Sequence, residues 1–183
     1  MISGRWPGPA TPASRLALPA QADVEPGAFG GIESQLASNG STTFAAVNDL
    51  PVVFKNVSGP WFPSLAALGS AVVAATGEMV AVNQDTGTIA WDTRLPSSPY
   101  GAATVTNDVV FTTTFRGDLY ALDAATGKIL LDTPLSAGTN APVAVDGDYV
   151  IAGASVLNSG TQQPLIIAYK LGAKDTLPDT AGS

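Results

Sequence analysis

Three polar residues of different chemistry stand at matching places in this 183-residue chain: Glu33 in GGIES, Tyr100 in PYGAA and Asn140 in TNAPV. A carboxylate, a phenol and an amide at one place could accept and donate hydrogen bonds to a ligand or a protein partner. The plainer role is that of ordinary polar residues at the starts of strands. The chain holds no His and no Cys. That excludes a Ser-His-Asp triad, a His general base, a His metal site, disulfides and thiolate chemistry. Any metal would be a hard cation on oxygen ligands. Asp108, Asp118, Asp146 and Asp148 all sit in turn contexts, where Asp is commonplace, so no catalytic residue is assigned.

The equivalence of Glu33, Tyr100 and Asn140 rests on an internal repeat. AVNQDTGTIAW at 81–91 and ALDAATGKILL at 121–131 are the same motif, 40 residues apart. At that offset TVTNDVVF (104–111) also meets AVDGDYVI (144–151). A third copy, ASNGSTTF (37–44), falls on 104–111 at an offset of 67, and IIAYKL (166–171) resembles LYALDA (119–124). The surplus length of the first copy is the insertion at 48–68, which carries Phe54, Trp61 and Phe62 among prolines and glycines. These aromatics either cover a blade edge or form an exposed recognition loop.

A period of about 40 residues built from short β-rich runs is the signature of a propeller blade of about four strands. Val109, Val110, Phe111 and Thr112 to Thr114 suit a pleated surface, and Asn107-Asp108, Arg116-Gly117-Asp118 and Asp146-Gly147-Asp148 punctuate the runs. WFPSLAALGSAVVAA is the one stretch with an ambiguous period, and Pro63 and Gly69 weaken it as a helix. Within the motif, Asp123 and Asn83 can each accept backbone N–H bonds across the turn, Thr86 and Thr126 can bond inside it, and Gly87 and Gly127 supply a positive φ. Trp91 closes the first copy with a side chain suited to filling the gap between two sheets.

Net charge is −7 with no basic run, which disfavours nucleic acid and anionic lipid. No apolar run reaches the roughly 18 residues of a membrane span, and the N-terminal stretch lacks the apolar block of a signal peptide. Residues 1–28 hold five prolines and read as an irregular arm or linker. The propeller region spans 29–171, with blades at about 29–96, 97–135 and 136–171, and 172–183 is a polar tail.

The motif Ala-x-Asp/Asn-x-x-Thr-Gly-x-x-x-Trp resembles the tryptophan-docking motif of the pyrroloquinoline-quinone-like (quinoprotein-type) propeller family. Residues 81–91 fit it throughout, and 121–131 fit except for Leu131 in the place of Trp. The resemblance implies an all-β fold, a β-propeller of four-stranded antiparallel blades. It also implies that Ala81, Asn83, Thr86, Gly87, Trp91, Ala121, Asp123, Thr126 and Gly127 are architecture rather than a cofactor box.

Propellers have 4–8 blades, so about three make an incomplete ring. The expectation is a C-terminal part of a larger propeller, the other possibility being a short protein that completes its ring as a homo-oligomer. The resemblance implies a non-catalytic scaffold or protein-binding module, like the family's bacterial outer-membrane assembly factor. Its partner would be a protein or the missing blades, its location extracytoplasmic, and no cofactor would be needed. The alternative is part of a quinone-dependent alcohol or sugar dehydrogenase, holding pyrroloquinoline quinone over calcium.

Overall fold

The computed structural model describes residues 30–50 and 65–174. The arm at 1–28, most of the 48–68 insertion with Phe54, Trp61 and Phe62, and most of the tail lie outside them.

The repeat becomes three antiparallel sheets. The first contains β1 (Ala37–Ser38), β2 (Thr42–Asp49), β3 (Thr76–Asn83) and β4 (Ile89–Leu95), in that order across the sheet. The second repeats the order with β5 (Thr104–Thr106), β6 (Val109–Thr113), β7 (Asp118–Asp123) and β8 (Ile129–Pro134). The third has β9 (Ala144–Asp146), β10 (Tyr149–Ala154) and β11 (Leu165–Lys170), with β10 in the middle. Antiparallel neighbours joined by tight turns make each sheet a four- or three-stranded meander, the unit of a β-propeller.

Register repeats with the sequence. Ala37 faces Phe44, Thr104 faces Phe111 and Ala144 faces Ile151. On the next strand pair Phe44 meets Ala81, Phe111 meets Ala121 and Ile151 meets Ala168. Because side chains alternate between faces with a period of two, this shared register puts the same positions on the same face of every sheet.

Packing between sheets follows from that alternation. Phe44, Ala46, Met79, Ala81 and Trp91 of the first sheet form one buried cluster with Val110, Tyr120 and Leu122 of the second. Leu119 of the second sheet joins Ala152, Ala154 and Ile167 of the third in another. Trp91 crosses the first gap: its indole Nε1–H donates to the Ala124 carbonyl at 3.0 Å, and Thr93 Oγ1 donates to the Gly127 carbonyl at 2.7 Å. Gly127 is at φ +70, and a Cβ there would lie 2.5 Å from Cε3 of Trp91. Only glycine combines that backbone with so close an approach. Leu131, in the corresponding place one blade on, is 42% exposed.

The two motif loops are superposable in their bonding. Asn83 Oδ1 accepts from the N–H groups of Asp85 and Thr86 and from the Thr86 hydroxyl, and Asp123 Oδ1 accepts from Ala125, Thr126 and the Thr126 hydroxyl. Those bonds hold the Asp123 carboxyl below its ordinary pKa, the Thr126 hydroxyl contributing most.

One expectation is corrected. The ambiguous run forms a helix, α1 (Leu65–Ala74), between β2 and β3. In sequence Pro63 falls before the first helical residue, where proline does no damage. Gly69 lies inside α1, at a cost of about 1 kcal/mol relative to Ala. Burial offsets it: Val72 and Ala75 are buried with Leu50, and Leu68 and Ala71 pack on the same cluster with Tyr100 and Phe115. No helix among the described residues is long and apolar enough to cross a membrane.

Candidate functional site

Glu33, Tyr100 and Asn140 each lie in the stretch of chain that leads into the first strand of a sheet, ahead of β1, β5 and β9. Each approach is pinned by backbone bonds. Ahead of β1, Gly31 and Asn48 exchange N–H···O bonds at 2.8 and 2.9 Å. Tyr100 N donates to Ser98 O at 3.0 Å, and Gly101 N donates to Thr113 O at 3.0 Å. The third approach is held by Thr139 N on Thr114 O, and by the Thr113 hydroxyl on the Ala141 carbonyl at 2.9 Å. The second sheet therefore anchors the third residue through β6.

These anchors bring Glu33, Tyr100 and Asn140 to one place. All three line a hollow of about 410 Å³, with Ser34, Ala102 and Pro142. The same three line an adjoining hollow of about 340 Å³, walled by Val72 and Gly69 of α1 and by Phe115. The rings of Tyr100 and Phe115 meet edge to face at 5.6 Å between centroids, which fixes the phenol against the floor.

The electrostatics of the hollow follow from burial. Burial pushes the Tyr100 phenol up to about 12, and the neighbouring Glu33 charge pushes in the same direction. Tyr100 stays protonated at physiological pH and can donate a hydrogen bond. Partial burial also raises the Glu33 carboxyl above its ordinary pKa. With the Asn140 amide the hollow offers donors and acceptors on a partly apolar floor, the mixture that orients a bound peptide or small molecule.

The nine motif residues do not line these hollows. They stand at strand ends and turns at the other end of the sheets, around Trp91 and Gly127. The four aspartates do not enter them either: Asp118 accepts from the Thr114 hydroxyl at 2.8 Å, Asp108 and Asp148 sit at turns, and Asp146 ends β9. The wall from α1 and Phe115 was not foreseen. The apolar spacing of Leu65, Leu68 and Val72 was the signal that could have found it.

Repeated four-stranded meanders packed face to face define this as a β-propeller architecture. The family model described as "Outer membrane protein assembly factor BamB" matches residues 75–169, just over half of the chain. The chain belongs to this family of pyrroloquinoline-quinone-like propeller repeats. Among solved structures, the quinohemoprotein alcohol dehydrogenase ADHIIG of Pseudomonas putida HK5 is 18% identical with a TM-score of 0.58, over 81% of this chain and 27% of that one. The quinohemoprotein alcohol dehydrogenase of Comamonas testosteroni is 25% identical with a TM-score of 0.49, over 68% of this chain and 19% of that one. BamB of Moraxella catarrhalis is 18% identical with a TM-score of 0.40, over 65% of this chain and 42% of that one. The chain thus spans less than half of each. No curated protein sequence matches it.

Proposed function

We propose that the chain is a non-catalytic propeller segment that acts as a scaffold or protein-binding module, with the hollow at Glu33, Tyr100 and Asn140 as its contact site. The observation that carries this reading is the convergence of one polar residue from the approach to each of three sheets on one solvent-facing hollow. A protonated phenol beside a carboxylate and an amide can grip a backbone or a polar side chain of a partner. In the same reading the loops at Asn83–Gly87 and Asp123–Gly127, with Trp91, are structural locks. The partner is a protein or further blades, the location extracytoplasmic, and the role of the kind named in the family description, an outer membrane protein assembly factor.

A second reading, part of a quinone-dependent alcohol or sugar dehydrogenase, is supported by the likeness in fold to the quinohemoprotein alcohol dehydrogenase ADHIIG. Its test is the donor set. Calcium takes 6–8 oxygen ligands, whereas this hollow offers one carboxylate, Glu33, and two side-chain amides, Gln35 and Asn140. No cluster of three metal-binding side chains occurs among the described residues. These residues do not make a calcium cage by themselves, and no catalytic step is assigned to them.

The experiment is photo-crosslinking in cells of the source type, with a photoreactive residue at Asn140 or, as control, at Asp85 in the opposite turn. A discrete protein adduct from Asn140 that Glu33→Gln and Tyr100→Phe diminish supports the reading. Equal adducts from both positions, or none from either, refute it.

A further inference from the structure

The turn between β1 and β2 is closed by the Asn39 N–H on the Thr42 carbonyl at 3.2 Å. Inside it, Asn39 Oδ1 accepts from the Ser41 and Thr42 N–H groups at 3.2 and 3.0 Å, and from the Ser41 hydroxyl at 3.2 Å. The next residue is Gly40, at φ +96 with nothing within 4 Å of an added Cβ. Its N–H donates to Ser38 Oγ at 3.0 Å. Both residues are exposed. An amide carbon open to attack and an uncrowded backbone nitrogen therefore stand next to each other in water. Asn83 supplies the internal control. Its Oδ1 also accepts from two N–H groups and a hydroxyl, but Gln84 follows it. No other asparagine of the chain precedes a glycine.

We propose that Asn39-Gly40 is a self-modifying site, at which the folded chain converts its own asparagine to aspartate and isoaspartate. The Gly40 nitrogen, on losing its proton to hydroxide, attacks Asn39 Cγ. The N–Cγ bond forms and the Cγ–Nδ2 bond breaks. Nδ2 takes a proton from water and leaves as ammonia. Water then opens the cyclic imide at either carbonyl, and nothing is oxidised or reduced. Charge gathers on Oδ1 as the new bond forms. Two N–H groups and a hydroxyl already point at that atom, as donors do in an oxyanion hole. Glycine keeps the nucleophile reachable, since it has no Cβ and its backbone turns freely. The product bears on the first blade. The Ser41 carbonyl accepts from Gln84 N at 2.9 Å, and Ser38 Oγ accepts from the Gln84 side-chain amide. These bonds tie the turn to the first motif loop. Isoaspartate lengthens the main chain of the turn and adds a negative charge, so the tie loosens as the molecule ages.

The test follows the folded full chain over days, at neutral and mildly alkaline pH, by peptide mass mapping. Exchange of amide for acid changes the mass, which isomerisation at Asp146-Gly147 does not. The expected result is conversion at Asn39 with Asn83 unchanged, faster at the higher pH and no slower in the folded chain than in urea. Ser41→Ala removes one donor from Oδ1 and should slow conversion about tenfold, less than a donor is worth in a buried oxyanion hole. Gln84→Gly puts a glycine after Asn83 and should make that residue react as well. Conversion of Asn39 only in urea, or equal conversion of Asn39 and Asn83 in the unaltered chain, overturns the proposal. So does an unreactive Asn83 in Gln84→Gly, or a Ser41→Ala chain that converts as fast as wild type. Crosslinking from Asn140 reports on a different surface, so an inert Asn39 with a retained Asn140 adduct sinks this proposal alone.

Discussion

Removing the Trp91 indole should separate the first two sheets, and the size of the loss follows from what it touches. The side chain is 9% exposed, packs 5.9 Å from the Phe44 ring centroid and donates one buried hydrogen bond. Trp91→Ala loses the packing and the bond and leaves a cavity, a cost of about 3–5 kcal/mol. Trp91→Phe keeps most of the packing but leaves the Ala124 carbonyl without its donor, about 1–3 kcal/mol. Gly127→Ala pays twice, through a side chain at φ +70 and through a Cβ 2.5 Å from the indole. The backbone part, about 1–2 kcal/mol, and a contact of the Cβ with Thr93 Oγ1 at 2.6 Å are independent of Trp91, whereas the clash with the indole is not. The double variant Trp91→Ala/Gly127→Ala should therefore be less destabilised than the sum of the two singles, by about 1–3 kcal/mol. Urea denaturation of the four proteins, followed by far-ultraviolet circular dichroism, measures this coupling. Additivity within about 0.5 kcal/mol would show that Trp91 and Gly127 do not meet, and would refute the packing of sheet on sheet.

Three further outcomes are expected. Glu78, fully buried on β3 with Arg94 Nε 3.3 Å from its carboxylate, has its pKa pushed up to about 7, by burial first and then by Asp92. The folded form holds this proton more tightly than the unfolded one. Stability is therefore fullest below the ordinary glutamate range near 4.5 and falls as pH rises through 7, by at most about 3 kcal/mol. Urea midpoints at pH 5 and pH 8 should differ for the wild type and converge for Glu78→Gln; an unchanged pH dependence in the variant contradicts the assignment. Asp123→Ala should lower the melting temperature at neutral pH, and Asp123→Asn should not, since Asn83 makes the same bonds in the sister loop. Because the Asp123 pKa is depressed, its contribution is present above the ordinary aspartate range and is lost as pH falls through the depressed value, so melts of wild type and Asp123→Ala should converge in acid. Gly69→Ala should stabilise the protein by about 0.5–1 kcal/mol, because the position lies inside α1 with nothing within 4 Å of an added Cβ; no rise in the urea midpoint would argue against a helix there.

What the sequence made legible is what it says more than once. ASNGSTTF, TVTNDVVF and AVDGDYVI share a spacing, and the strand–turn–strand units they form share a register, with Phe44, Phe111 and Ile151 at one position of the pleat. The same offsets reach Glu33, Tyr100 and Asn140, which the fold brings to a common hollow because each precedes the first strand of its sheet. The rest is stated once. Among the described residues a helix occurs in one blade only, so no second copy could vote against the propensities of Pro63 and Gly69, and burial against Leu50 decided the matter. Glu78 occupies a strand position whose neighbours Val47 and Val80 are apolar, yet its register opposite Arg94 supplies a cross-strand ion pair that no local pattern shows. Tyr100 carries its raised pKa because Phe115 and α1 enclose it, both from other parts of the chain.

The central claim is that three consecutive blades bring residues far apart in sequence to one contact site. A pair of cysteines tests it most directly, since the chain has none of its own. Glu33→Cys with Asn140→Cys should be joined within one molecule by a short bismaleimide under native conditions and not in urea, whereas Asp85→Cys with Asn140→Cys should not be joined in either. Failure of the first pair to link in the folded protein, or linkage of both pairs alike, would contradict the convergence on which the functional reading rests.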